Sequence, residues 1–226
     1  MNQLSYEVSQ NMLDLLNVGV VKNENVPLSV SLGRILATDI VAKHNDPQFP
    51  TASMDGYAIR YADIDNDSIE VLGFNPAGSD EQRIVTQGTC IKTFTGSKMP
   101  EGTDTLVQIE NVNAIDNRIV IEEKVLFGAS VRPIGEAYKA GDVLIKKGTQ
   151  IGFAEIGVMA GLNTVMVNVS CKPKVAVIAT GSEILDLGEE MSNPAQIRSS
   201  NNYTLGALFE SAGANVLQLG TIGDNK

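Results

Sequence analysis

The segment Lys174-Val175-Ala176-Val177-Ile178-Ala179, opening into Thr180-Gly181-Ser182-Glu183, is the strongest constraint on the fold. A continuous apolar run that ends on a Gly-containing turn reads as a buried parallel strand feeding a ligand-facing loop of an α/β sheet. A helix follows, with Ser200 or Asn201 as its cap, Leu205, Leu208, Phe209 and Ala212 as its buried stripe and Gly213 as its stop. Val216 to Leu219 reads as a second strand, completing one βαβ unit. Two parallel strands and one helix cannot cover both faces of a sheet, so this domain is expected to be unfinished: the chain is a fragment, or a partner completes it.

Upstream the pattern changes twice. Leu4, Val8, Met12, Leu15 and Leu16 recur at helical spacing before Gly19 and Pro27, which predicts an amphipathic helix in the first twenty or so residues. Val26 to Val30 and Asp39 to Ala42 read as short strands around Leu32-Gly33-Arg34-Ile35-Leu36. From His44 to Gly141, β-rich runs (57–60, 70–73, 89–94, 106–110 and 118–121) alternate with Gly, Pro, Asn and Asp, as in a small all-β domain. Residues 142–149 and 164–169 read as strands around a short helix over 153–160, and the strands flanking the β-rich insert are expected to pair. The predicted division is an N-terminal helix (1–22), a linker β domain (23–43 with 142–170), an inserted β-rich domain (44–141) and an incomplete αβα domain (171–226). The fold class is therefore multidomain α/β plus β.

Composition removes several functions. The net charge of −10 leaves little to hold a phosphate backbone, so nucleic acid is not an expected partner. No 18-residue apolar stretch and no basic, apolar leader is present, which predicts a cytoplasmic protein without a membrane span. Cys90 and Cys171 lack disulfide or zinc spacing and read as buried reduced thiols. His44 is the only histidine, which disfavours a His-based triad and excludes His-rich metal sites, and His44 reads as a surface-loop residue. The acidic cluster Asp63 to Asp67 reads as a solvated turn, since it lacks the spacing of a calcium loop. A generic dinucleotide binder is disfavoured, because no Gly-x-Gly-x-x-Gly follows the strand at Lys174.

Chemistry concentrates at Ser53-Met54-Asp55-Gly56-Tyr57-Ala58, which follows the loop Pro47-Gln48-Phe49-Pro50. Read on its own, this is a turn in which Asp55 caps and Gly56 supplies permissive backbone. The same motif resembles the signature of the molybdopterin molybdenumtransferase family, which includes the gephyrin E domain. The resemblance continues through 32–37, Thr95-Gly96, 99–102, Arg132, Gly135-Glu136, Ala140-Gly141 and 180–183, and so spans essentially the whole chain.

The resemblance implies insertion of molybdate into adenylylated molybdopterin with release of AMP, with Mg2+ or another divalent cation. It also implies an elongated homodimer, a molybdopterin-binding type αβα domain, and a molybdopterin adenylyltransferase as upstream partner. By motif, Asp55, Thr95 and Glu183 are the implied catalytic residues, with Asp55 and Glu183 as metal ligands. Ser53, Gly56, Gly96, Arg132, Glu136, Gly181, Ser182, Ser200, Asn201 and Asp224 are the implied substrate contacts, Ser200 and Asn201 reading equally as a helix cap or an anion site. The competing, less favoured readings are an ordinary turn residue for Thr95 and a segment-start residue for Glu183. The sequence departs from the family at Ala137, where the usual pattern Gly-Glu-Asp carries an acid, and at Pro133 and Ile134, where basic residues are frequent. A non-catalytic scaffold that keeps the fold for dimerisation is the competing reading, and Ala137 favours it.

Overall fold

The computed structural model describes residues 4–16, 19, 21–79 and 83–223. Two compact units share the chain: 1–40 with 145–226, and 41–144.

The unit 41–144 is built on a six-stranded sheet in the order Thr105–Gln108, Gly56–Ile59, Thr89–Thr93, Ile69–Asn75, Arg118–Ile121, Val112–Ile115. All neighbours are antiparallel except Ile69–Asn75 with Thr89–Thr93, which run parallel with a register shift between Val71 and Phe74. Every residue of Gly56–Ile59 is buried, as expected of a strand covered on both faces. Tyr57 and Ile59 pack with Ile64, Ile69, Cys90, Val107 and Ile119 on one side, while Ala58 packs with Ala52, Met99 and Leu106 on the other. Removing one isoleucine or leucine of this set from water contributes about 1.5–3 kcal/mol. Gly56 is dictated by backbone approach: a Cβ there would stand 2.3 Å from the Val107 carbonyl oxygen.

In the other unit, Asn23–Pro27 pairs antiparallel with Met166–Ser170 over Val26, Val167 and Val169, all buried. The first helix, α1 (Tyr6–Asp14), starts where the Ser5 hydroxyl accepts from the Val8 amide, and none of its residues is buried. The second, α2 (Phe153–Gly161), buries Met159. The parallel strands Lys174–Thr180 and Asn215–Ile222 are joined through α3 (Ser200–Ser211), forming the βαβ arrangement read from the sequence.

The flanking segments of the insert do pair, Ala42 N–H bonding the Asp142 carbonyl and Gly141 N–H the Ala42 carbonyl. Several expectations are corrected. Leu28–Val30 is a single 3-10 turn rather than strand, because Pro27 ends the ladder and Ser31 N–H bonds back to Leu28. The stripe Leu205 and Leu208 is exposed; α3 instead buries Asn202 and Gly206, since a residue without a side chain lets the helix press on Gln218. In Lys174–Thr180 only Val177 is fully buried, so this strand is not covered on both faces. Asp63 is buried rather than solvated: its carboxylate accepts from the Gly88 amide at 3.1 Å and from Asn66 at 3.3 Å. His44 lies in a half-buried bend, and Cys171 is half-buried while Cys90 is buried, both as free thiols. Among the described residues no helix is long and apolar enough to cross a membrane.

Candidate functional site

The register Gly56↔Thr93 decides the local geometry of the first cluster. Asp55 immediately precedes one strand and Phe94-Thr95 immediately follow its antiparallel neighbour, so the two ends meet at the same edge of the sheet. Thr95 donates to Asp55 Oδ1 twice, from its backbone N–H at 2.8 Å and from its hydroxyl at 2.7 Å. Those two bonds, followed by the nearby positive charge of Lys92, hold the Asp55 carboxyl below its usual pKa. The charged form is thus the resting form, and Oδ2 takes no part in either Thr95 bond.

The turn carrying Thr95 closes through Ser97 N–H to the Phe94 carbonyl, and Gly96 sits in its third position at φ +80°, a conformation that other residues adopt with strain. Gly96 N–H bonds the Ala52 carbonyl at 2.8 Å, and Ser53 N–H bonds the Ser130 carbonyl at 3.0 Å. Val131–Arg132 pairs with Thr51–Ala52, which brings Arg132 into this neighbourhood. The Arg132 guanidinium is committed to Glu136 at 2.6 Å, and that hydrogen bond and charge raise its pKa. Asp55, Thr95, Gly96, Ser53, Arg132 and Glu136 therefore all belong to the 41–144 unit. Gly56 belongs there too, buried against Val107. Ala137 is exposed, its N–H bonding the Asp46 carbonyl.

A second cluster lies in the other unit, at the C-terminal end of Lys174–Thr180. Gly181 is buried at φ +141°, and a Cβ there would stand 2.8 Å from a Glu183 carboxylate oxygen, so the glycine makes room for that side chain. Glu183 and Ser182 are exposed. A cavity of about 270 Å3 opens between this strand and the start of α3, lined by Thr180, Ile184, Ile197, Ser199, Asn202 and Leu205 among others, with Ser200 and Asn201 at its rim on the first turn. Opposite, the Tyr203 hydroxyl donates to Asp186 at 2.6 Å, which lowers the Asp186 pKa and raises that of Tyr203. Arg198 donates to the Asp186 carbonyl at 2.9 Å. Asp224 lies outside the described residues.

Sequence reasoning did not single out Ser199, Asn202, Asp186 or Tyr203. A polar residue at helix spacing with Leu205 and Leu208 carries no local sign of burial, and only the pairing of α3 with its sheet reveals it. Among the described residues no group of three or more His, Cys, Asp or Glu side chains could hold a metal ion.

The model of the MoeA N-terminal region (domain I and II) matches residues 4–162. A molybdopterin molybdenumtransferase of Nostoc sp. is 36% identical over 208 residues, 89% of this chain and 48% of the relative. The enzyme of that name from Staphylococcus epidermidis is 37% identical over 202 residues, 87% of this chain and 48% of the relative. Among solved structures, the molybdopterin biosynthesis MoeA protein of Pyrococcus horikoshii superposes with a TM-score of 0.88 at 29% identity, covering 100% of this chain and 59% of the other. The chain spans about half the length of the curated relatives it matches.

Proposed function

The chain belongs to the family of the MoeA N-terminal region, domains I and II, and from that premise we propose that it forms part of a molybdopterin molybdenumtransferase. The reaction is the insertion of molybdate into adenylylated molybdopterin, which yields molybdenum cofactor and AMP. The observation that carries this reading is the Asp55–Thr95 pair: a family-motif carboxylate, exposed and kept ionised by two donors on one oxygen.

Asp55 would hold a divalent cation or a water near the phosphoanhydride, while Thr95 fixes Oδ1. Mg2+ suits such a place, because it is commonly held by one or two carboxylates together with substrate phosphates and water. A cation bound there would supply Lewis acidity and charge neutralisation to the cleaving phosphate. In the other unit, Glu183 is the proposed metal-binding carboxylate of its own cluster, with Gly181 and Ser182 shaping the loop around it. Arg132 and Glu136 act as a fixed pair, Arg132 presenting charge to an anionic substrate and Glu136 holding its orientation. Ser53, Gly56, Gly96, Ser200, Asn201 and Asp224 complete the proposed contact set.

The proposed working form is an elongated cytoplasmic homodimer that receives substrate from a molybdopterin adenylyltransferase. A second reading, a dimeric scaffold without catalysis, is favoured by one observation: Ala137 stands exposed where the family pattern carries an acid.

The test supplies adenylylated molybdopterin, molybdate and Mg2+ to the protein encoded by the complete reading frame and follows AMP release and cofactor formation. Substrate-dependent AMP release that falls at least 10-fold in Asp55→Asn is expected, as for loss of a charged group acting at the reacting centre. Intact dimers that neither bind the substrate nor release AMP would move the scaffold to first place.

A further inference from the structure

The contact between Asp55 and Thr95 is only as fixed as the turn that carries Thr95. Thr95 and Gly96 are both exposed, and Gly96 stands at φ +80°. A short glycine-containing turn in water opens readily unless residues outside it tie it down. Beside the Gly96 bond to the Ala52 carbonyl, the ties come from one residue, Asn75, the last of the strand Ile69–Asn75. Its backbone carbonyl accepts from the Phe94 N–H at 3.3 Å and from the Ser97 hydroxyl at 3.0 Å, and so binds the first and last residues of the turn. Its side-chain Nδ2 donates to the carbonyl of the next residue, Lys98, at 2.8 Å. Ser97 is 2% exposed, so water competes poorly for its bond.

An irregularity in the sheet brings Asn75 to this place. Val71 pairs with Cys90, but Phe74 pairs with Lys92 and Asn75 with Thr93, so one strand advances three residues while its neighbour advances two. The extra residue falls beside Gly73, which adopts φ +145°. A Cβ there would stand 2.1 Å from Arg83 Nη1, which donates to the Leu72 carbonyl at 3.2 Å. Continued without the shift, the register of Val71 with Cys90 would set Asn75 opposite Phe94. With the shift Asn75 stands opposite Thr93, and in a parallel ladder its carbonyl then meets the N–H of the following residue, Phe94.

We infer that Asn75 is a positioning residue for the proposed reaction: its carbonyl and its side-chain amide hold the turn Phe94 to Ser97 where both donors of Thr95 reach one oxygen of Asp55. This rests on the reading of the chain as part of a molybdopterin molybdenumtransferase, since it gives Asn75 its effect through Thr95 and Asp55 rather than on the substrate. A strand-end residue with a purely structural part would instead soften the whole sheet when altered.

The test uses the protein encoded by the complete reading frame, labelled with 15N-threonine, and two variants. Asn75→Asp keeps the shape of the side chain but sets an acceptor against the Lys98 carbonyl, and Ser97→Ala removes the hydroxyl tie. In both, the Thr95 amide proton is expected to move upfield as its bond to the carboxylate loosens, while the amide of Thr105 in the neighbouring strand holds its place. AMP release should lose about 5-fold or more in kcat, with KM for adenylylated molybdopterin changed by less than about 2-fold, as for a group misplaced only at the reacting centre. An unmoved Thr95 resonance in both variants overturns the inference. So does a moved Thr95 resonance with kcat unchanged, or a shift of all threonine resonances together with a lower melting temperature, which is the mark of a purely structural Asn75. The two proposals fail separately: a parent that releases no AMP, while Thr95 still moves in the variants, removes the transferase and leaves the hold of Asn75 on the turn, whereas AMP release with Thr95 unmoved removes only the role of Asn75.

Discussion

Thr95 places both of its donors on the same carboxylate oxygen of Asp55, at 2.8 Å from the backbone nitrogen and 2.7 Å from the hydroxyl. The backbone bond cannot be mutated away, but the hydroxyl bond can. In Thr95→Ala the Asp55 pKa is expected to rise towards its ordinary value of 3.8 while staying below it. The sign follows from linkage. Because the folded pKa is lowered, Asp55 contributes stability above pH 3.8 that is lost as pH falls through the folded value, and the variant loses it at a higher pH. Carboxyl-carbon NMR titration reads this directly, and an unmoved midpoint would remove the Thr95 hydroxyl, though not its backbone N–H, as a cause.

Gly56 and Gly96 should respond differently to alanine. At Gly56 the new Cβ would meet the Val107 carbonyl oxygen at 2.3 Å, so the central strand must shift; destabilisation of about 1–3 kcal/mol is expected. At Gly96 nothing lies within 4 Å, and the cost comes from φ +80° alone, about 1–2 kcal/mol. Denaturant midpoints measure both. The distinguishing readout is amide exchange along Thr105–Gln108, which should accelerate for Gly56→Ala and hold for Gly96→Ala.

Tyr203→Phe removes the bond that lowers the Asp186 pKa. The expected result is a lower melting temperature at neutral pH, with the difference from the parent shrinking as pH falls through the folded Asp186 value. A difference independent of pH would mean that Tyr203 acts by packing instead.

Burial pushes the Cys90 thiol up to about 12. At pH 8 almost no thiolate exists there, so Cys90 should resist iodoacetamide until denaturant is added, whereas half-buried Cys171 should react first. Peptide mass mapping separates the two sites, and rapid native labelling of Cys90 would contradict its place in the core.

Ala137→Asp tests the departure from the family at its own position. The side chain is exposed, so stability should change by less than about 0.5 kcal/mol. If the transferase reading holds, the restored carboxylate should raise AMP release by the full-length protein. No gain, with substrate still bound, would count against a catalytic acid at this position.

Local chemistry decided what could be read without coordinates. The helix at Tyr6 announces itself by its apolar spacing, the helix at Phe153 by its stop at Gly161, and the βαβ unit by its apolar run and glycines. Burial was less legible because it depends on partners far along the chain. Asp63 looks like a solvated acid until Gly88, 25 residues away, is brought against it. The Asp55–Thr95 contact spans 40 residues and follows from sheet register, which no motif states. Leu205 and Leu208 have the right period for a buried stripe, yet Gly206 sets the face of α3 that meets the strand.

The pairing of Asn23–Pro27 with Met166–Ser170 has a consequence in time. The amides of Asn25 and Asn168, joined across the ladder, are 143 residues apart. At a synthesis rate of 5–20 residues per second the first strand waits about 7–30 s for its mate to leave the ribosome. The 41–144 unit, whose six strands all lie between its own ends, needs no such delay. The nascent chain is therefore expected to finish its middle first, and the early strand spends that interval as an exposed edge that a trigger-type chaperone could shield.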